Sequence, residues 1–313
     1  MRILVLGAGA VGGYFGGRLA AVGADVTFLV RTARAAQLAS DGLVVHSPYG
    51  DLRIDAKTAT RETVAPAYDL AIVCCKTYAL DDAIGTLRPA LRADTLVLPL
   101  LNGVGHYAAL DAAFGRERVA GGTCHVAGTL DVSGEVHQLS RLHRIAFGTR
   151  AGNAAFARER LAELYREYAK TPVPAVLSDD IDTEVWEKYV LLVTLAGMTC
   201  LMRASVGDII EADRGREFML AFLDSCHQVA KAEGQRLRDA YFADTIRLLT
   251  EPGSTFTASM LRDIERGLRT EGEQLVGHMA RRAAAAGIDA PLLAAAHCHL
   301  QAYEARRGRE QKA

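Results

Sequence analysis

The first 31 residues constrain the fold of this chain more than any other stretch. An apolar run, Met1-Arg-Ile-Leu-Val-Leu, enters a glycine turn, Gly7-Ala8-Gly9-Ala10-Val11-Gly12, a helical stretch follows, and a second apolar run from Asp25 ends in Arg31. The order predicts a phosphate-binding βαβ unit. Gly7 permits the tight turn out of the strand, Gly9 removes the Cβ that would block a pyrophosphate, and Gly12 lets the helix pack closely on the sheet. The helix N-terminus then offers N–H groups and a positive dipole end to a phosphate. Arg31 stands 24 positions after Gly7, close to where an NAD-binding chain places an acid on the ribose 2′-hydroxyl. A guanidinium there suits a 2′-phosphate, so the unit reads as built for NADP(H). Arg34 is either a second cation for that phosphate or a surface residue.

Up to about residue 150, short β-rich runs alternate with helical stretches, the pattern of a mostly parallel sheet. Two buried runs end in polar residues, one at Lys76 and one at Asn102-Gly103; the carboxyl edge of an open α/β sheet is where ligands sit. Residues 43–56 read as a hairpin around Pro48-Tyr49-Gly50, and 121–148 as strands extending the sheet, with Ser133-Gly134 as their turn. Beyond Pro172-Val-Pro174 the sequence becomes helical: a long apolar helix from near Asp182, then stretches around 213–234, 239–250, 257–286 and 291–306, with breaks at Gly253 and Pro291. The expected architecture is an α/β Rossmann-type dinucleotide-binding domain over 1–178 followed by an all-α substrate and catalytic domain over 179–313, with the cleft between them as the default site. The tail from Arg309 is expected to fray.

A net charge of −1 gives no electrostatic reason to expect nucleic acid or an anionic membrane as partner. No uninterrupted apolar run approaches the roughly 18 residues that span a bilayer, and the chain opens directly on a strand, so a cytoplasmic protein without a signal peptide is expected. The six cysteines, Cys74, Cys75, Cys124, Cys200, Cys226 and Cys298, fall in apolar segments without metal-ligand spacing and read as buried thiols. His297 and His299, two apart on a helix, point about 200° away from each other and cannot share an ion. No metal is expected.

Two polar stretches of the helical half carry candidate chemistry. Lys188 opens a helix that is apolar on nearly every face, on the side continued by Leu192, Leu195 and Ala196. Facing a cleft, its ammonium would become a better proton donor through partial desolvation; otherwise its stem lies on the core while the amine reaches water. Ser259, Asp263 and Thr270 lie within two to three helical turns of one another. Ser259 offers a hydroxyl to a carboxylate, or the stretch is a charged helix face with a capping serine.

Taken together, Gly7-Ala-Gly9-Ala-Val-Gly12, Arg31, Lys76, Asn102-Gly103-Val-Gly105, Trp186-Glu-Lys188, Ser259-Met260, Asp263 and Thr270-Glu271, spread over about 265 residues, make the chain resemble the ketopantoate reductase (2-dehydropantoate 2-reductase) family. The resemblance implies NADPH-dependent reduction of a small 2-oxo acid to a 2-hydroxy acid, with 2-dehydropantoate first in line. It implies that Lys188 is the general acid, that Asn102 holds nicotinamide and substrate, and that Lys76 and Ala127 touch the cofactor. It further implies that Ser259 receives the substrate carboxylate and that Glu271 positions the ribose or the lysine. Where the family carries four asparagines this chain has Leu192, Ala196, Val206 and Phe256. The alternative is therefore a reductase of a more apolar 2-oxo acid. From another class, a non-enzymatic NADPH sensor fits the N-terminal half but has no need of Lys188, Ser259 and Glu271. The alanine-rich second domain is compatible with a homodimer.

Overall fold

Burial on both faces explains why the N-terminal strands read as unbroken apolar runs. The computed structural model describes residues 1–311. Its first strands are β1 (Arg2–Leu6), β2 (Asp25–Leu29), β3 (Leu43–His46), β4 (Leu52–Ile54), β5 (Lys57–Ala59), β6 (Tyr68–Val73) and β7 (Leu91–Pro99). Five of them form one sheet in the order β5-β2-β1-β6-β7, every pair parallel. Helix α1 (Ala10–Ala21) makes the crossover from β1 to β2, followed by α2 (Thr32–Asp41), α3 (Leu80–Leu87) and α4 (His106–Phe114). Alternating strands and helices thus give the doubly wound sheet that the sequence predicts.

The strands over 121–148 do not extend that sheet. β8 (Gly121–Leu130) and β9 (Val136–Gly148) pair antiparallel, and with β10 (Ala175–Leu177) and the β3–β4 hairpin they build a second sheet, ordered β10-β9-β3-β4 with β8 on β9. The reason is α1, which is covered on two sides. A Cβ on Gly16 would meet Phe28 of β2 at 2.9 Å, and one on Gly13 would meet Val136 of β9 at 2.8 Å. Tyr14, Phe15 and Leu19 of α1 are wholly buried in the core between these layers, with α5 (Ala155–Tyr168) supplying Leu161 and Leu164.

The described residues divide into two compact units, Met1–Leu101 with His106–Asp182, and Asn102–Gly105 with the chain from Thr183 onward. The second unit is helical: most of α6 (Ile181–Met202), then α7 (Val206–Glu211), α8 (Gly215–Ala232), α9 (Asp239–Leu249), α10 (Ser259–Glu265), α11 (His278–Ala285) and α12 (Pro291–Glu310). Helix α6 is long and apolar enough by composition to cross a membrane, contrary to the run-by-run reading, because its charged residues cluster at one end. Burial of 72% of its apolar window marks it as a core helix.

The stretch 257–286 is broken rather than continuous. Gly267 at φ +68 ends α10, and a π-turn over Glu273–Gly277 precedes α11. Cys298 is exposed, unlike the buried Cys124, Cys200 and Cys226, because α12 buries the stripe Leu293, Ala296 and Leu300 and turns Cys298 away from it. Arg309 and Glu310 complete α12, while Lys312 and Ala313 of the expected fraying tail lie outside the described residues.

Candidate active site

The glycine turn is shaped by its own backbone. Gly7 has φ +95, and a Cβ on Gly12 would fall 2.0 Å from the Gly7 carbonyl oxygen, so both positions require glycine. A Cβ on Gly9, in contrast, would meet no atom within 4 Å. The space that Gly9 leaves is open, as a phosphate cradle requires. Gly9 is also the N-cap of α1 and no side chain caps it, so the first N–H groups, on Ala10, Val11 and Gly12, are left for an anion.

Beside this turn is a cavity of about 510 Å³, lined among others by Gly7, Ala8, Gly9, Arg31, Arg34 and Arg61. The two arginines after β2 differ. Arg31 is exposed, with Nη2 3.6 Å from Asp82, and can swing toward a ligand. Arg34 is half-buried, donating from Nη2 to the Ala8 carbonyl at 3.0 Å and from Nη1 to Gln37 Oε1 at 2.7 Å. Burial pushes its pKa down from the usual arginine value, and its bonds brace the glycine turn. Arg61, from the loop after β5, is a wall residue that the sequence reading missed; the three-residue strand before it gives no periodic signal. Lys76 is exposed where β6 gives way to a short turn over Thr77–Ala79. Ala127 lies at the register shift of β8 on β9, between Val126 and Gly128, the kind of irregularity that re-aims side chains beside a site.

In the second unit the structure brings together two of the predicted residues. Lys188 Nζ donates to Asn102 Oδ1 at 3.0 Å. Asn102 belongs to the loop Asn102–Gly105, and this loop is seated by its glycines. A Cβ on Gly103 (φ +81) would lie 2.8 Å from Leu275, and one on Gly105 would lie 3.3 Å from the His278 ring. Tyr189, next to Lys188, donates its hydroxyl to the Leu275 carbonyl at 2.9 Å and lies 3.1 Å from His278 Nδ1. Because that hydroxyl is spent as a donor, Nδ1 of His278 carries the proton and Nε2 accepts from Arg282 Nε at 3.4 Å. The imidazole is neutral at neutral pH, its pKa lowered to about 4 by burial first and by Arg282 and Arg281 second. His278 and Tyr189 thus hold the Asn102 loop, a supporting role with no linear motif to announce it.

Trp186 packs edge-on against Tyr189 at 5.6 Å between centroids, and Glu187, also fully buried, is paired with Arg238. The first turns of α6 are therefore fixed on both sides of Lys188. Glu271 is buried between Thr270 and the π-turn. Thr270 donates from its backbone N and Oγ1 to Glu304 Oε1 at 2.7 and 2.8 Å, which pins the segment. Ser259 is exposed at the first residue of α10, whose N-cap is Ala258 and whose buried side is Met260, Leu261 and Ile264; it is not the capping residue. Of the four apolar replacements, Ala196 and Val206 are closed into the core, whereas Leu192 and Phe256 are half-buried.

Comparison with known proteins agrees with this architecture. The family model described as ketopantoate reductase PanE/ApbA matches residues 3–152, and the model of the family's C-terminal part matches 180–304. The uncharacterized oxidoreductase YkpB of Bacillus subtilis (strain 168) is 35% identical over 98% of this chain and 100% of its own length. A 2-dehydropantoate 2-reductase structure from Geobacter metallireducens is 30% identical, covers 96% of this chain and 99% of that one, and has a TM-score of 0.84. A ternary structure of D-mandelate dehydrogenase with NADH and anilino(oxo)acetate shares the fold at a TM-score of 0.86 and 20% identity, covering 98% of this chain and 100% of that one. With the family's two models spanning most of both units, the chain belongs to the ketopantoate reductase family and is an oxidoreductase.

Proposed function

We propose that this chain reduces a 2-oxo acid to the corresponding 2-hydroxy acid with NADPH, 2-dehydropantoate being the first substrate to test. The observation that carries the reading is the bond from Lys188 Nζ to Asn102 Oδ1 at 3.0 Å, which places an oriented ammonium on the glycine-flanked Asn102 loop. The cofactor supplies the hydride when bound. Residues 1–178 form its binding domain: the turn from Gly7 through Ala8, Gly9, Ala10 and Val11 to Gly12 takes the pyrophosphate, Arg31 the 2′-phosphate, and Lys76 and Ala127 flank it. The open cradle at Gly9 and the adjoining cavity with its arginines fit such a ligand. Residues 179–313 form the catalytic domain. Asn102 accepts from the Lys188 ammonium and contacts nicotinamide and substrate, Ser259 binds the substrate carboxylate, and Glu271 positions the ribose or the lysine. As the carbonyl carbon is reduced, charge builds on its oxygen; Lys188 Nζ stabilises that charge and delivers the proton.

A second reading has the same chemistry on a more apolar 2-oxo acid. Leu192 and Phe256, half-buried where the family carries asparagine, favour it, because a pocket without hydrogen-bonding partners has little with which to select a hydroxylated substrate. Following NADPH absorbance with a panel of 2-oxo acids separates the readings. Oxidation with 2-dehydropantoate alone supports the first and oxidation with an apolar acid alone the second; tight NADPH binding with no turnover across the panel refutes both in favour of a sensor.

Replacing Arg31 with alanine removes a charge-assisted contact to the 2′-phosphate, worth about 1.5–3 kcal/mol. The expected result is a fall of roughly 10- to 100-fold in NADPH affinity with NADH affinity unchanged. Equal discrimination in both proteins, measured by fluorescence titration, removes Arg31 from the cofactor site.

A further inference from the structure

We propose that His46, Glu135 and His137 form a binding site for a late first-row divalent cation such as zinc, on the second sheet of the first unit. Strand pairing builds the site. β3 and β9 run parallel with His46 directly opposite His137, and the two rings stack at 4.7 Å between centroids. Glu135, just before β9, lies with Oε2 2.8 Å from His46 Nε2. One ring nitrogen of each histidine and one carboxylate oxygen of Glu135 all lie within 4.8 Å of one another. Zinc bonds of about 2.0–2.2 Å require the two stacked rings and the carboxylate to turn toward a common point. Two imidazoles and a carboxylate are a donor set for zinc, nickel or copper rather than for magnesium or calcium.

The surroundings match those of a metal centre. His46 keeps Nδ1 on Asp51 Oδ2 at 2.9 Å, and Asp51 is itself fixed by the Ser47 backbone N at 2.9 Å. His137 keeps Nε2 on Asp131 Oδ2 at 2.9 Å, and Asp131 Oδ1 accepts from Ser133 Oγ at 2.7 Å and from the Glu135 backbone N at 2.8 Å. Each imidazole is thus oriented by an anchored carboxylate, Asp51 for His46 and Asp131 for His137, the outer-shell pattern that aims metal-binding histidines. No linear spacing reveals this cluster, because it is assembled by the pairing of strands distant in sequence.

The test is titration of the chelator-washed, full-length protein with zinc alone at pH 7.5, in competition with a chromophoric chelator. The expected result is one zinc per chain, with His137→Asn and Asp131→Asn each weakening binding by at least about 10-fold. Zinc should also raise the thermal midpoint of the wild type and not that of Glu135→Gln, a milder change that keeps the reading falsifiable if His137→Asn does not fold. Failure of the wild type to take up zinc overturns the site, as does an unchanged affinity in these variants or an equal thermal shift in Glu135→Gln.

Discussion

Lys188→Ala is expected to lower kcat for the preferred 2-oxo acid by about 10²- to 10⁴-fold, the range that a positioned general acid supplies, while leaving NADPH binding nearly intact. Two features of the structure set this expectation. The ammonium is held at Asn102 Oδ1, at 3.0 Å, so its removal deletes a located ammonium, the proposed proton donor, rather than a mobile surface charge. The turn and cavity proposed for the cofactor are built from other residues, so binding and turnover separate. Lys188→Arg is the sharper companion. It keeps the positive charge, but a guanidinium does not give up its proton near neutrality, so turnover stays low even where substrate binding is preserved. Single-turnover kinetics with fluorescence titration of NADPH reads both quantities. Near-normal kcat in Lys188→Ala removes this residue from the mechanism.

What could be read from the letters was what the backbone itself enforces. The glycine turn is legible because Gly7 and Gly12 answer to constraints within a dozen residues, a positive φ and a carbonyl 2.0 Å from where a Cβ would stand. The all-helical half is legible from periodicity. Choice of strand partner is not: alternation over 121–148 identifies strands, but nothing local says that β9 will lie beside β3 rather than beside β7. The same blindness hides the His46–His137 pair, which exists only through that partnership. Asn102 illustrates a subtler limit. As the end of a strand it reads as part of the sheet domain, yet its loop groups with the helical unit, because Gly103 and Gly105 admit Leu275 and His278 at close range. Helical periodicity also ran straight across Gly267, where a left-handed residue ends α10.

Arg238→Ala is expected to destabilise the helical unit by about 3–5 kcal/mol, the usual result of stripping one partner from a buried ion pair. The Glu187 side chain is fully buried, whereas that of Arg238 is 58% exposed. The carboxylate accepts from the Arg238 backbone N and from Nε, both at 2.9 Å, and from Nη2. Truncation leaves the backbone N–H as the remaining member of that set, and a charge that solvent does not reach loses its counter-ion. The loss follows from the asymmetry of the pair: the arginine can return to water and the glutamate cannot. Denaturant titration of the full chain should therefore show a lower midpoint for Arg238→Ala. Most of the loss should return in the double variant Glu187→Gln with Arg238→Ala, where no charge is left in the interior. Because Arg238 is the N-cap of α9 and Glu187 precedes Lys188 on α6, the pair clamps α9 to the turn that carries Lys188, the proposed proton donor. Below the new midpoint the Lys188–Asn102 contact persists, so kcat should fall far less than in Lys188→Ala. An unshifted midpoint would remove this pair from the stability of the helical unit, and a midpoint that Glu187→Gln does not rescue would assign the loss to packing of the arginine stem instead.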